Sequence, residues 1–139
     1  AHVEDVLQSY PHLRSLSIKG NRFFEGTLDS PESRDALRVL SDTLEDLDLS
    51  WNSIGGTLPS ELNALTHLRV LSLGKNALCG TLPSLSALER LHTLELHSNR
   101  LEGSIPDDLG SLPSLTNLRL DDNRFSGTIP RGILSRPSV

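Results

Sequence analysis

Apolar and polar residues alternate in short runs that recur along this chain. The runs have the form L-x-x-L-x-[LI], and their starts lie 31, 24, 23 and 24 residues apart, at Leu13, Leu44, Leu68, Leu91 and Leu115. Because side chains alternate between the two faces of a strand, the last two apolar residues of each run share one face. Self-similarity at this interval indicates a solenoid. We therefore predict five coils, numbered one to five from these starts, that build a parallel sheet with one inner row: Leu16, Leu47, Leu71, Leu94 and Leu118.

Polar residues and turn formers occupy fixed positions after each run. Coils two to five fit L-x-x-L-x-L-x-x-N-x-Φ-x-G-[TS]-[LI]-P without a gap, Φ being apolar. An asparagine amide both donates and accepts, so it can satisfy backbone groups in a buried turn. The asparagine column consists of Asn21, Asn52, Asn76, Asn99 and Asn123. The leucines after each proline have helix-like spacing but are interrupted by Gly and Pro, which predicts short 3₁₀ or irregular segments.

The start of the chain departs from the repeat. Val3, Val6, Leu7 and Tyr10 follow helical spacing before Pro11, which predicts a capping helix within residues 1–12 and a repeat domain over 13–139. Six extra residues precede Leu44. Among them Ser30 and Pro31 are typical of a helix N-cap and a first helical position, so a helical insertion is expected at about 31–41. Its core-facing residues would be Ala36, Leu37 and Leu40.

Composition supports a repeated core and excludes some partners. Leucine supplies 29 of the 139 residues while aromatic residues make up only 4%, which suggests one packing arrangement used many times. The net charge of −5 argues against nucleic-acid binding, because phosphate contacts need a basic surface. No apolar run approaches the roughly 20 residues that span a bilayer, so no membrane insertion of this segment is expected.

The motif resembles the plant-specific subclass of leucine-rich repeats found in receptor-like kinase ectodomains and polygalacturonase-inhibiting proteins. The resemblance implies an α/β solenoid: a right-handed leucine-rich-repeat superhelix with a short parallel β-sheet on its concave face, a 3₁₀ or irregular convex side and an N-terminal helical cap. That family binds peptides, hormones, enzymes and co-receptors with one architecture. The chain lacks the family's paired-cysteine caps, Cys79 being its single cysteine, and has no N-glycosylation sequon. These two absences slightly favour a cytoplasmic over an extracellular location.

Binding residues are expected at the solvent-facing strand positions, where the fold constrains the sequence least. The candidates on the concave face and its rim are Lys19, Asp46, Asp48, Ser50, Trp51, Lys75, Glu95, His97, Arg119 and Asp121. A lone tryptophan beside charges is typical of a binding hot spot, although it could instead pack over the neighbouring coil.

Two of these groups of residues also suggest chemistry other than plain binding. Asp46 and Asp48 lie roughly 7 Å apart on one strand face, as in an inverting glycosidase, but nothing predicts a cleft around them. Glu95, His97 and Asp121 could meet as metal ligands, yet Glu95 has Arg119 as its cross-strand neighbour and charge pairing explains it. We therefore expect no catalytic residue, metal or cofactor.

The favoured function is a non-catalytic protein–protein interaction scaffold that binds a protein or peptide through the concave face and rim. A ligand-sensing ectodomain fragment of a leucine-rich-repeat receptor and a structural spacer in a larger assembly remain as alternatives. The partner is expected to bring a basic group to coil two and an apolar or aromatic group to Trp51. The last coil has no identifiable polar cap, so we expect either further native sequence or end-to-end self-association through its apolar residues: Leu118, Leu120, Ile129, Ile133 and Leu134.

Overall fold

The secondary-structure elements are short and repeat along the chain. The computed structural model of the protein describes residues 1–21 and 24–136, so the last three residues of the predicted repeat domain lie outside it. In chain order the elements are α1 (Val3–Ser9), β1 (Ser15–Ser17), β2 (Glu25–Thr27), α2 (Pro31–Leu40), β3 (Asp46–Asp48), β4 (Ser53–Gly55), β5 (Val70–Ser72), β6 (Cys79–Thr81), β7 (Thr93–Glu95), β8 (Arg100–Ser104), β9 (Asn117–Arg119), β10 (Arg124–Ser126) and α3 (Arg131–Leu134). Two 3₁₀ helices, Ser60–Ala64 and Asp107–Ser111, lie between strands.

Parallel pairing between coils organises all the strands. One strand from each run forms a five-stranded sheet in the order β1-β3-β5-β7-β9, and a second row of strands forms sheets β2-β4 and β10-β8-β6. The register places the predicted inner leucines side by side, with Leu47 opposite Leu71 and Leu71 opposite Leu94. The solenoid fold, its parallel sheet and its 3₁₀ segments are therefore confirmed.

The leucine row forms the core of the molecule. Leu47, Leu71 and Leu94 are at most 1% exposed, and complete burial of a leucine side chain stabilises a fold by about 1.5–3 kcal/mol. Leu16 and Leu118 occupy the same row in the outer strands but are only partly buried. Their lower burial follows from position, since each has a neighbouring coil on one side only.

The asparagine column ties each turn to the preceding coil. Asn76 Nδ2 donates to the carbonyl of Leu73 in its own coil at 3.0 Å and to that of Leu49 in the coil before at 2.9 Å. Its Oδ1 accepts from the Ile54 N–H at 3.1 Å. The same three contacts recur at Asn99 and Asn123. The amide thus pairs the turn groups that the sequence predicted would need a partner.

A regular helix fills the extra length before coil two. Helix α2 begins after Ser30, whose Oγ accepts from the Ser33 N–H at 3.1 Å, and has a proline in its first turn. Ala36, Leu37 and Leu40 are buried, at the positions that the apolar spacing assigned to the core. This helix packs against α1, so the two helices cover the first coil together.

Helix α1 closes the N-terminal side of coil one. Val3 and Leu7 are buried. Glu4 Oε1 accepts from the Thr27 N–H at 2.9 Å, so the helix supplies the contact that the preceding coil would supply to a later coil. The expectation that Tyr10 shares the apolar face of the helix is wrong. The helix ends at Ser9, and Tyr10 beyond it is 58% exposed.

Asp29 occupies the position in coil one at which coils two to five have proline, and it links coil one to coil two. Its carboxylate accepts from the Thr57 N–H at 3.0 Å and from Thr57 Oγ1 at 2.8 Å. Burial acts to raise the pKa of Asp29, but these hydrogen bonds to the charged form outweigh it, so the pKa lies below its ordinary value of 3.8.

Arg136 ties the last convex segment to the one before it through polar contacts that the sequence did not reveal. The Arg136 guanidinium donates to the carbonyls of Gly110, Leu112 and Leu115, with the bond to Leu115 at 2.8 Å. Helix α3 also packs on the preceding 3₁₀ helix so closely that a Cβ on Gly132 would lie 2.6 Å from the Gly110 carbonyl oxygen. Strands β9 and β10 remain outer strands of their sheets, so the open end at coil five stays a prediction. An apolar groove lies at this end, lined by Ile105, Leu118, Leu120, Ile129 and Ile133.

Candidate binding surface

A column of left-handed backbone positions forms the rim where the chain leaves each strand of the five-stranded sheet. Trp51, Lys75, Ser98 and Asp122 have φ between 54° and 60°, and Gly20 fills the same position in coil one. Non-glycine residues rarely adopt this conformation. In the inner coils a hydrogen bond to the following coil accompanies it: the Trp51 N–H donates to the Gly74 carbonyl at 2.9 Å and the Lys75 N–H to the His97 carbonyl at 2.8 Å. Trp51 and Lys75 are exposed at this rim.

Trp51 of coil two and Lys75 of the adjacent coil three contact each other. The Lys75 Nζ lies 3.8 Å from the centroid of the Trp51 ring, within the range of a cation–π interaction. Trp51 remains 50% exposed. The ring therefore contacts the next coil and still presents half its surface to solvent, while its role as a binding hot spot stays a prediction. The sequence placed both residues on the rim but gave no signal for their stacking, which depends on side-chain rotamers.

Coil two carries two carboxylates on the concave face. Asp48 Oδ1 accepts from the Ser50 N–H at 3.0 Å and from Ser50 Oγ at 2.5 Å, which fixes the orientation of that carboxylate. Within residues 1–21 and 24–136, neither Asp46 nor Asp48 forms an ion pair. Lys19 is exposed on the neighbouring coil one. Coil two therefore presents negative charge that no described basic side chain neutralises by direct contact.

Ser50 and His97 are not the solvent-facing residues that their positions predicted. Ser50 is 4% and His97 5% exposed. The His97 ring lies over Gly74 in the preceding coil, so closely that a Cβ on that glycine would lie 2.3 Å from the His97 Cε1 atom. Its Nδ1 is buried and has no hydrogen-bond partner among the described residues. Gly74 and His97 occupy equivalent positions in adjacent coils, and a glycine next to a large ring was the signal that could have predicted this burial.

Charges on the last two coils pair within one coil rather than between coils. Glu95 and Arg119 are neighbours in register, as expected. However, Arg119 Nη2 contacts Asp121 Oδ2 at 3.0 Å, and Glu95 instead accepts from Asn117 Nδ2 at 3.2 Å and Ser72 Oγ at 3.2 Å. The expected Glu95–Arg119 charge pair is therefore wrong, because a residue two positions along the same face lies within reach of the guanidinium. The hydrogen bond from Arg119 lowers the pKa of Asp121 below its usual range.

The described residues limit other chemistries at this surface. No group of three or more His, Cys, Asp or Glu side chains in the described residues is arranged to hold a metal ion. Across the same residues, every helix is too short or too polar to cross a lipid bilayer. What the concave face and rim offer is an exposed indole, a stacked ammonium, and carboxylates with free hydrogen-bonding capacity.

Comparison with known proteins relates this architecture to one family. The sequence model of the Leucine Rich Repeat family matches residues 43–65, 90–112 and 114–135. Receptor like protein 21 of Arabidopsis thaliana is 45% identical over 106 residues, which cover 73% of this chain and 11% of that protein.

Solved structures of plant receptor kinases share the fold. The ectodomain of GASSHO1/SCHENGEN3 from Arabidopsis thaliana, in complex with CASPARIAN STRIP INTEGRITY FACTOR 2, is 35% identical with a TM-score of 0.80, over 91% of this chain and 15% of that one. The Arabidopsis receptor kinase HAESA, in complex with the peptide hormone IDA and the co-receptor SERK1, is 31% identical with a TM-score of 0.83, over 98% and 22% of the two chains. The chain spans about a tenth of the length of the curated relatives it matches.

Proposed function

Because the chain is a leucine-rich-repeat protein with repeats of the plant type, we propose that it is a binding module that holds a peptide or protein on its concave face and rim. The relatives are receptor-like proteins, and similar structures were solved with a peptide hormone or a co-receptor bound. The proposed role is binding without catalysis.

One observation carries the proposal: a half-exposed Trp51 stands on the rim beside two carboxylates that no described residue neutralises. Exposed tryptophans concentrate binding energy when a partner covers them, and charges around them select the partner. The fold itself does not need an indole here, since the equivalent positions carry Gly20, Lys75, Ser98 and Asp122.

The dimensions of the surface suit an extended segment. Five strands about 4.8 Å apart span roughly 20 Å, which matches about six residues of extended chain. A segment lying across the strands would meet the carboxylates of coil two at one end and the Arg119–Asp121 pair at the other. We propose that a basic group of the partner faces Asp46 and Asp48, and the net charge of −5 argues against a nucleic-acid partner.

Receptor ectodomains among the similar structures favour one specific form of this function, a ligand-sensing segment of a receptor. In that form the same surface would take a peptide hormone. The two forms share the site and differ in the rest of the protein, so the tests of the surface apply to both.

Self-association through the C-terminal edge is a separate proposal about partners. Strand β9 is an outer strand of its sheet, and the apolar groove beside it includes Ile129, which is 52% exposed. Unpaired strand edges promote association between chains. Sedimentation at increasing protein concentration tests it, and a monomer at every concentration would contradict it.

The binding surface is tested by selecting peptides from a displayed library on the immobilised chain and measuring their affinity by calorimetry. Trp51→Ala should weaken binding by about 2 kcal/mol with little change in stability. Asp48→Lys should slow association and reverse its salt dependence. Glu61 is unsuitable as a convex-side control, because it pairs with Arg34 and Arg38. The exposed Glu89 is suitable, and a Glu89→Lys change that abolished binding while Trp51→Ala did not would refute the proposal.

A further inference from the structure

We propose that the Trp51 ring face is a site for a cationic side chain of the partner, and that Lys75 occupies this site until the partner displaces it. The inference rests on the proposed function, since it names the chemistry that the rim recognises. It makes Lys75 a competitor of the partner and not one of its contacts.

The chain's own lysine shows what the ring face accepts. Lys75 Nζ lies 3.8 Å from the Trp51 centroid, and tryptophan is the most favourable aromatic side chain for holding a cation over its face. The sequence predicted an apolar or aromatic group of the partner at this position. An ammonium already seated on the ring points instead to a cation.

Lys75 is held weakly enough to be displaced. In the described residues its ammonium forms no ion pair and no hydrogen bond, so the ring is the one contact that positions it. Both side chains are exposed, and cation–π contacts at exposed sites are among the weaker interactions in proteins. Removing Lys75 from the ring therefore breaks no buried network.

A partner cation can gain a contact that Lys75 lacks. Asp46 and Asp48 belong to the coil that carries Trp51, and the Asp48 carboxylate is already oriented by Ser50. Lys75 Nζ lies beyond ion-pair distance of both carboxylates. A guanidinium can stack on an indole and donate from its edge to a carboxylate at the same time. The site thus favours an arginine of the partner over the resident lysine.

The repeat explains why residue 75 is the competitor. Residues 51 and 75 occupy the same left-handed position in consecutive coils, about 4.8 Å apart, so their side chains leave the rim side by side. The next residue in the column is Ser98, which is too short to reach a ring two coils away. Changing residue 75 therefore changes access to the ring without altering the sheet.

The test uses Trp51, the single tryptophan of the chain, as its own reporter. The probes are capped pentapeptides of glycine with a central Arg, Gln, Tyr or Asp, titrated while indole fluorescence is recorded. Lys75→Gln, which keeps length and removes charge, should bind the Arg probe about two- to fivefold more tightly than the unchanged chain. Asp48→Asn should weaken the same probe, and thermal melting should show that both variants remain folded.

Lys19→Gln is the matched control, because it removes an exposed lysine of the same face that forms no cation–π contact with Trp51 among the described residues. An equal gain in this variant would show a general charge effect and overturn the inference. So would weaker Arg binding by Lys75→Gln, or a preference for the Tyr or Asp probe.

Peptides selected on the whole chain separate this inference from the proposed function. Suppose that Asp48→Lys abolishes peptide binding, whereas neither Lys75→Gln nor replacement of the basic residues of the peptide changes it. The proposed binding surface is then correct and the cation site is wrong. If no concave-face variant changes the affinity of any selected peptide, the proposed function is wrong. The Arg probe still tests the ring site by itself in that case.

Discussion

Asn76→Ala is the most informative change to the fold, because the interactions it removes are fully defined. The side chain joins the turn of coil three to coil two through Nδ2 bonds to Leu73 and Leu49 and an Oδ1 bond from Ile54. Ile54 is 0% exposed with the amide in place, so its N–H is shielded from bulk water and has Asn76 Oδ1 as its partner. A buried backbone group left without a partner costs about 1–3 kcal/mol. The Leu49 and Leu73 carbonyls keep the amides of Asn52 and Asn99 as donors, so the Ile54 N–H is the group left unpaired. We expect the free energy of unfolding to fall by about 1–3 kcal/mol.

Urea denaturation followed by circular dichroism measures this change. Asn117→Ala is the matched control, because Asn117 is exposed and its side chain bonds only to Glu95 among the described residues. That variant should lose no more than about 0.5 kcal/mol. If the midpoint for Asn76→Ala matched that of the control, water would be replacing the amide. The structural role assigned to the column would then be wrong.

Three further predictions test single contacts. Asp29→Asn should destabilise the chain by about 1 kcal/mol at pH 7. Because the pKa of Asp29 is lowered in the folded state, the difference in stability between the two chains should shrink as the pH falls below 3.8. Acid titration of stability measures this, and a difference that stays constant would contradict it. Arg136→Ala should lower the free energy of unfolding by about 1–3 kcal/mol and speed hydrogen exchange in α3. Arg136→Lys should be no more stable than Arg136→Ala, since an ammonium lacks the planar guanidinium that bonds three carbonyls. Gly74→Ala should push the His97 ring into solvent at a cost of about 1 kcal/mol, visible as shifted imidazole NMR signals; unchanged signals would show that the backbone moved instead.

The features that the sequence predicted well are those that every coil repeats. A column such as Asn52, Asn76, Asn99 and Asn123 has one local task, to pair a turn with the coil before it, and the task follows from the chemistry of an amide. The inner leucines are equally predictable, because period two and the interval between runs fix both face and neighbour. Helix α2 is local as well, since Ser30 and Pro31 mark its start.

The features that sequence reasoning missed arise from single side chains that contact other coils. Arg136 reaches three carbonyls more than 20 residues away, and nothing in its neighbours predicts these contacts. His97 is buried because the preceding coil has Gly74 at that position, a pairwise relation that a column of residue types does not express. Arg119 selects Asp121 over Glu95 by rotamer geometry alone. Each case depends on where a flexible side chain settles among several partners in reach.

The rim column separates binding from folding in a way that the asparagine column does not. Residues as different as Gly20, Trp51 and Asp122 hold the same left-handed conformation. Glycine and aspartate adopt it at lower cost than tryptophan, yet the backbone of coil two keeps the same conformation with an indole in this position. At Asn76 a substitution leaves the buried Ile54 N–H unpaired and alters stability first. Substitutions at Trp51 and Lys75 should therefore change affinity while leaving the melting temperature nearly constant, which is the behaviour that a surface used for recognition requires.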